Sequence, residues 1–120
     1  MTGLVDAHFH IWRQADLPWL LGPMQPRIFG PYEPIRRDYP VAEYLADCRP
    51  AGVTEAVYVQ ANWAPARHLD EVAFVSQASD ESGFPIAIVA YADMLAEDVR
   101  PQLDALATNL RVRGVRMQLH

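Results

Sequence analysis

Residues 3–12 run Gly3-Leu4-Val5-Asp6-Ala7-His8-Phe9-His10-Ile11-Trp12. Leu4–Val5 and the alternation of Ala7, Phe9 and Ile11 against Asp6, His8 and His10 have period two, which predicts a β-strand over 3–11. Residues two apart on a strand point the same way. Asp6, His8 and His10 are therefore expected on one face, at the C-terminal end of the first strand. From there the chain enters a long segment, residues 13–39, with Pro18, Pro23, Pro26, Pro31 and Pro34 inside it and Pro40 just beyond. Proline at this density works against regular helix or a central strand. Trp19, Phe29 and Tyr32 point to a packed, irregular loop, and loops this long in compact domains are usually functional or mobile.

Beyond Pro40 the pattern becomes regular. Val41, Tyr44, Leu45 and Cys48 fall at helical spacing, with Pro40 suited to a first turn and Pro50 and Gly52 as a stop. Val53 to Gln60 is β-branched and strand-like. A second helix is expected over about 66–82, with Leu69, Val72, Ala73 and Val75 as its apolar positions and Gly83 as its C-terminal cap. Pro85 to Tyr91 reads as a buried strand. A third helix is expected over about 98–110, from Val99, Leu103, Leu106 and Leu110, and a fourth strand over 114–119. Strands alternating with helices imply an α/β fold with a parallel sheet and right-handed crossovers. Strands apolar on both faces fit a sheet covered on both sides.

The composition narrows the function classes. Of the 120 residues, 51% are apolar and 21% charged, which is ordinary for a globular chain and argues against disorder. Cys48 is the single cysteine, so a disulfide scaffold is excluded and a reducing compartment fits. Fifteen acids against ten bases leave a net charge of −5, which disfavours non-specific nucleic-acid binding. All ten bases are arginine, so chemistry that needs a lysine of this chain, such as a Schiff base or a carbamylated metal bridge, is excluded. No stretch reaches the roughly 18–20 apolar residues of a membrane span. Residues 1–6 lack the basic start and apolar run of a signal peptide. A cytoplasmic protein without nucleic-acid or membrane partners is the expectation.

Two imidazoles at i and i+2 at a strand end can reach one divalent metal, and neutral histidine suits zinc and related ions. Asp6 is placed to orient a ring N–H from behind the ligands. The alternative is a pair of histidines that simply pack or hydrogen-bond. Their position favours the metal, because α/β folds place their sites at the C-terminal ends of parallel strands. In the fourth strand Val115, Met117 and Leu119 alternate with Arg116, Gln118 and His120. The apolar set is expected to face the helices and the polar set the interior. Arg116 there can grip a substrate carboxylate through two parallel hydrogen bonds, or it belongs to a solvated strand end. Gln60 ends the second strand, where it hydrogen-bonds substrate or serves the loop. Asp93 reads as a turn or cap residue, His68 as a surface residue at a helix start, and Cys48 as a core thiol. Trp12, Trp19 and Trp63 wall a pocket or pack the loop.

Asp6-x-His8-x-His10-x-Trp12 resembles the N-terminal signature of the amidohydrolase superfamily. More narrowly, the chain is similar to the amidohydrolase-related branch of TIM-barrel metal-dependent hydrolases, which includes sugar-acid lactonases and 2-pyrone-4,6-dicarboxylate lactonase. Gly52-Val53 leading into a strand that ends Val59-Gln60, and Arg113-Gly114-Val115-Arg116 opening the fourth strand, support the choice of branch. The resemblance covers essentially the whole chain, as a partial barrel domain over 1–120 with its proline-rich loop at 13–39. It implies the N-terminal half of a (β/α)₈ barrel, with four strands and three helices.

It also implies a hydrolase that opens a lactone or similar ester of a small carboxylated substrate. His8 and His10 would be metal ligands, with zinc the expected ion, and Asp6 would stand behind them. Arg116, Gln60, Gln118, His120 and Trp12 would contact substrate. In some lactonases of this branch the same histidines line the substrate pocket with no bound metal. The superfamily also contains decarboxylases that use a first-strand His-x-His pair, which is the alternative chemistry. The family's remaining histidines follow strands five and six, and its water-activating aspartate follows strand eight, all beyond residue 120. A full barrel needs roughly 250 residues. The 120-residue chain is thus expected to need a C-terminal half-barrel, or a second copy of itself, to complete a site. A fragment acting only through self-association is the reading from outside the enzymes.

Overall fold

The computed structural model describes residues 3–119. Four strands form one sheet, β1 (Leu4–Phe9), β2 (Val53–Val59), β3 (Ala87–Tyr91) and β4 (Val112–Arg116), in the order β1-β2-β3-β4. All three neighbouring pairs are parallel. The crossovers carry helices α2 (Val41–Cys48), α3 (His68–Ser82) and α4 (Arg100–Ala107), and a single helical turn, α1 (Pro18–Leu21), lies inside the long β1–α2 connection. This is the α/β alternation of the first half of a (β/α)₈ barrel.

One face of the sheet carries the core. Phe9, Ala56, Tyr58, Ile88 and Ala90 project from the strands, and Tyr44, Leu45, Cys48, Val72, Val75, Ala78 and Leu106 meet them from the helices. Tyr58, Val75 and Ile11 are fully buried. The other face, carrying Val5, Val57, Val89 and Gly114, is open among the described residues: Val5 is exposed and the other three are half-buried. The expected cover on both sides is therefore present on one side only.

Element ends differ from the periodic reading for local reasons. The helix expected over 98–110 is shorter. Asp98 Oδ1 accepts the Arg100 N–H at 3.1 Å at its start. At its end the Thr108 hydroxyl donates to Ala105 O and Asn109 Oδ1 accepts the Arg111 N–H, so short polar side chains compete for the backbone. In α3 the buried stripe is Glu71, Val72, Val75, Ala78 and Ser79, while Leu69 and Ala73 face solvent. Gly83 caps α3 with φ +80°, in the left-handed region where a side chain is strained. The fourth strand begins earlier than expected, because Val112 pairs with Ile88 and packs on the core. It ends at Arg116, so the alternation does not extend to Leu119, which is exposed rather than packed on helices.

The proline-rich segment is a folded excursion. Trp12 and Tyr39 close its base as an antiparallel bridge, with both backbone hydrogen bonds formed, at 3.0 and 2.8 Å. Its interior is a second small core of Leu17, Leu20 and Tyr32, completed by Ala61 and Trp63 from the β2–α3 connection. Pro18 begins α1, where its missing N–H costs nothing. The expectation of a segment without helix therefore fails for this one turn. Buried Asp16 ties the excursion to the fold by accepting from Arg13 Nε (2.6 Å) and from Arg67 Nη1 (3.0 Å), just before α3. The Trp19 indole N–H donates to Ala61 O at 2.9 Å.

Asp16→Ala should loosen the excursion without unfolding the sheet. A loss of about 1–2 kcal/mol in local stability corresponds to roughly 5–30-fold more opening. Trypsin should cleave after Arg27, Arg36 or Arg37 faster by about that factor, while the main unfolding transition moves little. Wild-type cleavage rates in the variant would refute the docking role of Asp16.

Candidate functional site

The C-terminal ends of β1, β2 and β4 bring polar side chains together. The β1–β2 register is irregular: Asp6 pairs with Ala56 and Phe9 with Tyr58, so β1 spends three residues where β2 spends two. This bulge moves Asp6 to the helix-facing side with Phe9. The expected common face for Asp6, His8 and His10 does not form. Asp6 Oδ1 accepts the His8 backbone N–H at 3.1 Å, and Oδ2 accepts the Tyr44 hydroxyl proton at 2.8 Å. Asp6 thus supports the backbone at the bulge and orients neither imidazole ring directly.

His8 and His10 do converge. Their Nε2 atoms lie 3.2 Å apart, with the rings edge-on to each other. His10 Nδ1 sits 2.7 Å from Val59 O, so Nδ1 carries the proton and donates it, and the neutral ring presents a lone pair at Nε2. Burial holds the His10 imidazole below its ordinary value of 6.5. His8 and Arg116 act in the same direction, while the Val59 carbonyl and Asp6 oppose. Metal–nitrogen bonds of about 2.0–2.1 Å at a tetrahedral angle put two ligand nitrogens about 3.3–3.4 Å apart. The pair therefore fits two positions of one metal ion, or one N–H···N hydrogen bond if His8 carries its proton on Nε2. Among the described residues no group of three or more His, Cys, Asp or Glu is placed to hold a metal.

Arg116 lies beside this pair. It pairs with Tyr91 across the β3–β4 ladder, on the open face. Its Nη2 donates to Gln60 O at 2.7 Å, while its Nε is buried without a partner. Gln60 is fully buried. Its Oε1 accepts the Asn62 N–H at 2.8 Å, which fixes the amide orientation and leaves Nε2 without a partner. Asn62 takes φ +59°, and its Nδ2 donates to Gln118 Oε1. Donors on Arg116 and Gln60 thus remain unused at the strand ends. His120 lies outside the described residues.

The other candidates go elsewhere. Trp12 spends its indole N–H on Arg37 O (2.6 Å) and packs against Tyr39 at the base of the excursion. Trp63 is buried in the second core. Asp93 Oδ1 accepts the Leu95 N–H in a turn. His68 is half-buried, with Nδ1 3.0 Å from Pro65 O. Cys48 is a buried free thiol.

Glu71, Tyr44 and Asn62 are additions that the sequence reading did not single out. Glu71 is buried on α3, and one of its oxygens accepts both the Tyr58 hydroxyl and the Ala61 N–H, each at 2.7 Å. It therefore fixes the chain just beyond Gln60. Its position one helical turn before Val75 and two before Ala78 placed it on the buried stripe, a signal open to a stricter reading. A non-glycine residue at positive φ, as at Asn62, leaves no such trace.

A sequence profile of the amidohydrolase family, described as "Amidohydrolase", matches residues 5–120. The uncharacterized protein y4mH of Sinorhizobium fredii is 32% identical over 119 residues, which cover 98% of this chain and 40% of that protein. The chain thus spans less than half the length of this relative. No solved structure matches at a significant level. No helix among the described residues is long and apolar enough to cross a membrane.

Burial raises the Glu71 carboxyl above its ordinary 4.5, against the lowering effect of Tyr58, Ala61, Arg116 and His68. The folded chain then holds this proton more tightly than the unfolded chain does. The contribution to stability is full below about pH 4.5 and is lost as pH rises through the raised value. Glu71→Gln removes that loss. Its unfolding free energy should gain on wild type as pH rises above about 4.5. Parallel pH profiles for the two chains would refute the raised value.

Proposed function

Because this chain belongs to the amidohydrolase family, we propose that it contributes the first-strand part of a metal-dependent hydrolase site. The expected reaction is opening of a lactone or similar ester of a small carboxylated substrate. The observation that carries this reading is the approach of His8 Nε2 to His10 Nε2, 3.2 Å, at the C-terminal end of β1. His8 and His10 would hold a divalent ion, zinc by ligand chemistry, at two of its positions. When bound, such an ion polarises a carbonyl and brings the pKa of a bound water towards neutrality.

The chain's own residues supply the rest of this part of the site. The Val59 carbonyl fixes the tautomer and tilt of His10, which is the usual way a backbone group prepares a ligand histidine. Arg116 gives one Nη2 hydrogen to Gln60 O, and its remaining terminal donors would hold a substrate carboxylate. The Asn62–Gln118 pair borders the same strand ends and would position polar substrate groups, while fully buried Gln60 would hold Arg116 through its carbonyl. The excursion over 13–39 would wall the mouth near Ala61 and Trp63.

Elemental analysis tests the metal reading. Wild-type chain equilibrated with zinc by dialysis should take up the ion, and the His8→Ala/His10→Ala double variant should take up less. Unchanged metal content in the double variant sinks the proposal. For the acid group, Arg116→Ala should weaken binding of a small carboxylated lactone by about tenfold or more, read by calorimetry. Analysis of products separates the reactions: a ring-opened acid supports hydrolysis, and released CO₂ supports decarboxylation instead.

A further inference from the structure

On a regular strand, residues i and i+2 lie about 6.6 Å apart along the chain with side chains side by side. His8 and His10 nevertheless bring their Nε2 atoms to 3.2 Å. That spacing depends on where each side chain leaves the chain, and His8 leaves from an irregular part of β1. The bulge between Asp6 and Phe9 contains His8 and sets its direction relative to His10. The His8 N–H, which lies within it, donates to Asp6 Oδ1 at 3.1 Å. Asp6 is in turn held by the Tyr44 hydroxyl at 2.8 Å, and Tyr44 is itself clamped in the core, with its ring stacked on Phe9 at 4.2 Å.

We propose that Tyr44 is a positioning residue for the histidine pair: through Asp6 it fixes the β1 bulge, and the fixed bulge sets the His8–His10 spacing that suits one divalent ion. The link to a metal rests on the function proposed above; the link from Tyr44 to the spacing does not. The device crosses the sheet. A phenol from the helix layer, on the core side, controls two imidazoles that leave β1 at its far end. Burial and the adjoining Asp6 carboxylate keep the Tyr44 phenol protonated, so it acts as a steady donor. Phenylalanine at 44 would keep the ring stack and the core volume and remove only the hydrogen bond to Asp6. Asparagine at 6 would keep an oxygen for the His8 N–H and an amide facing the Tyr44 oxygen, which can accept as well as donate.

The test uses the 120-residue chain, its Tyr44→Phe, Asp6→Asn and Asp6→Ala variants, and two readings that need no metal. These are the NMR exchange rate of the His8 amide and the nuclear Overhauser contact between the His8 and His10 rings. In Tyr44→Phe the His8 amide should exchange faster, by about tenfold, and the ring contact should weaken, while the fold and the Phe9 environment stay as in wild type. Asp6→Ala should reproduce the defect and Asp6→Asn should restore both readings to near wild type, a rescue that a merely structural tyrosine would not show. Co(II) binding, followed by its visible absorption, should weaken about 10–100-fold in Tyr44→Phe and Asp6→Ala. Wild-type exchange and ring contact in Tyr44→Phe would overturn the proposal; if that variant does not fold, the same result in Asp6→Ala would do so. A wild-type chain that binds no Co(II), with the two NMR readings still responding as expected, would overturn the metal reading alone.

Discussion

The parallel pairing of β1 with β2, three residues against two, is the constraint on which the rest of the molecule depends. β1 has one strand neighbour among the described residues, so its place in the sheet is set by that ladder and by what Phe9 and Ile11 bury. The mismatch turns Asp6 and Phe9 towards the helices and leaves His10 directed to the Val59 carbonyl. Without the bulge Asp6 and Phe9 would point to opposite faces, since successive side chains on a strand alternate. The hydrophobic core and the histidine pair therefore share one determinant.

Around this ladder the polar groups are arranged in relays rather than in isolated pairs. Glu71 gathers a side-chain hydroxyl and a backbone amide from the end of β2, and Asp16 gathers Arg13 from the excursion itself and Arg67 from the β2–α3 connection. Each is a buried carboxylate that ties a loop to a helix. Such groups contribute modestly to net stability, because their desolvation offsets much of the attraction. Their effect here is geometric: they leave the β2–α3 connection one position in which to sit, and Gln60 and Asn62 are carried with it.

The fold class was legible because period two and period 3.6 alternate along the chain, and the Asp6-x-His8-x-His10-x-Trp12 run stood at the right strand end. Three things were hidden, each for a physical reason. The bulge was hidden because Ala7 and His8 fit either face of a strand, so alternation carried no penalty for a wrong register. The fold of residues 13–39 was hidden because its core borrows Ala61 and Trp63 from a distant stretch, and no local pattern reports a non-local core. Tyr44 was legible as an apolar helical position, but its hydroxyl, which reaches Asp6, was not, because that contact joins residues 38 positions apart. Arg116 and Gln60 could be named from strand order alone, whereas the donors they leave unused depend on partners that strand order does not show.

The shared second core has a consequence for how this region can change. Leu17, Leu20 and Tyr32 of the excursion are packed against Ala61 and Trp63, with Phe74 of α3 at the margin. Two segments far apart in the sequence thus behave as one unit of inheritance. An excursion grafted from a related chain would arrive without its other wall unless residues 61–74 travelled with it. Drift in Leu20 or Tyr32 should accordingly be matched at Ala61 and Trp63 rather than among the excursion's own prolines. Any change in the shape of the mouth would reach the backbone of Asn62 through these same contacts. In this architecture the excursion and the β2–α3 connection vary together or not at all.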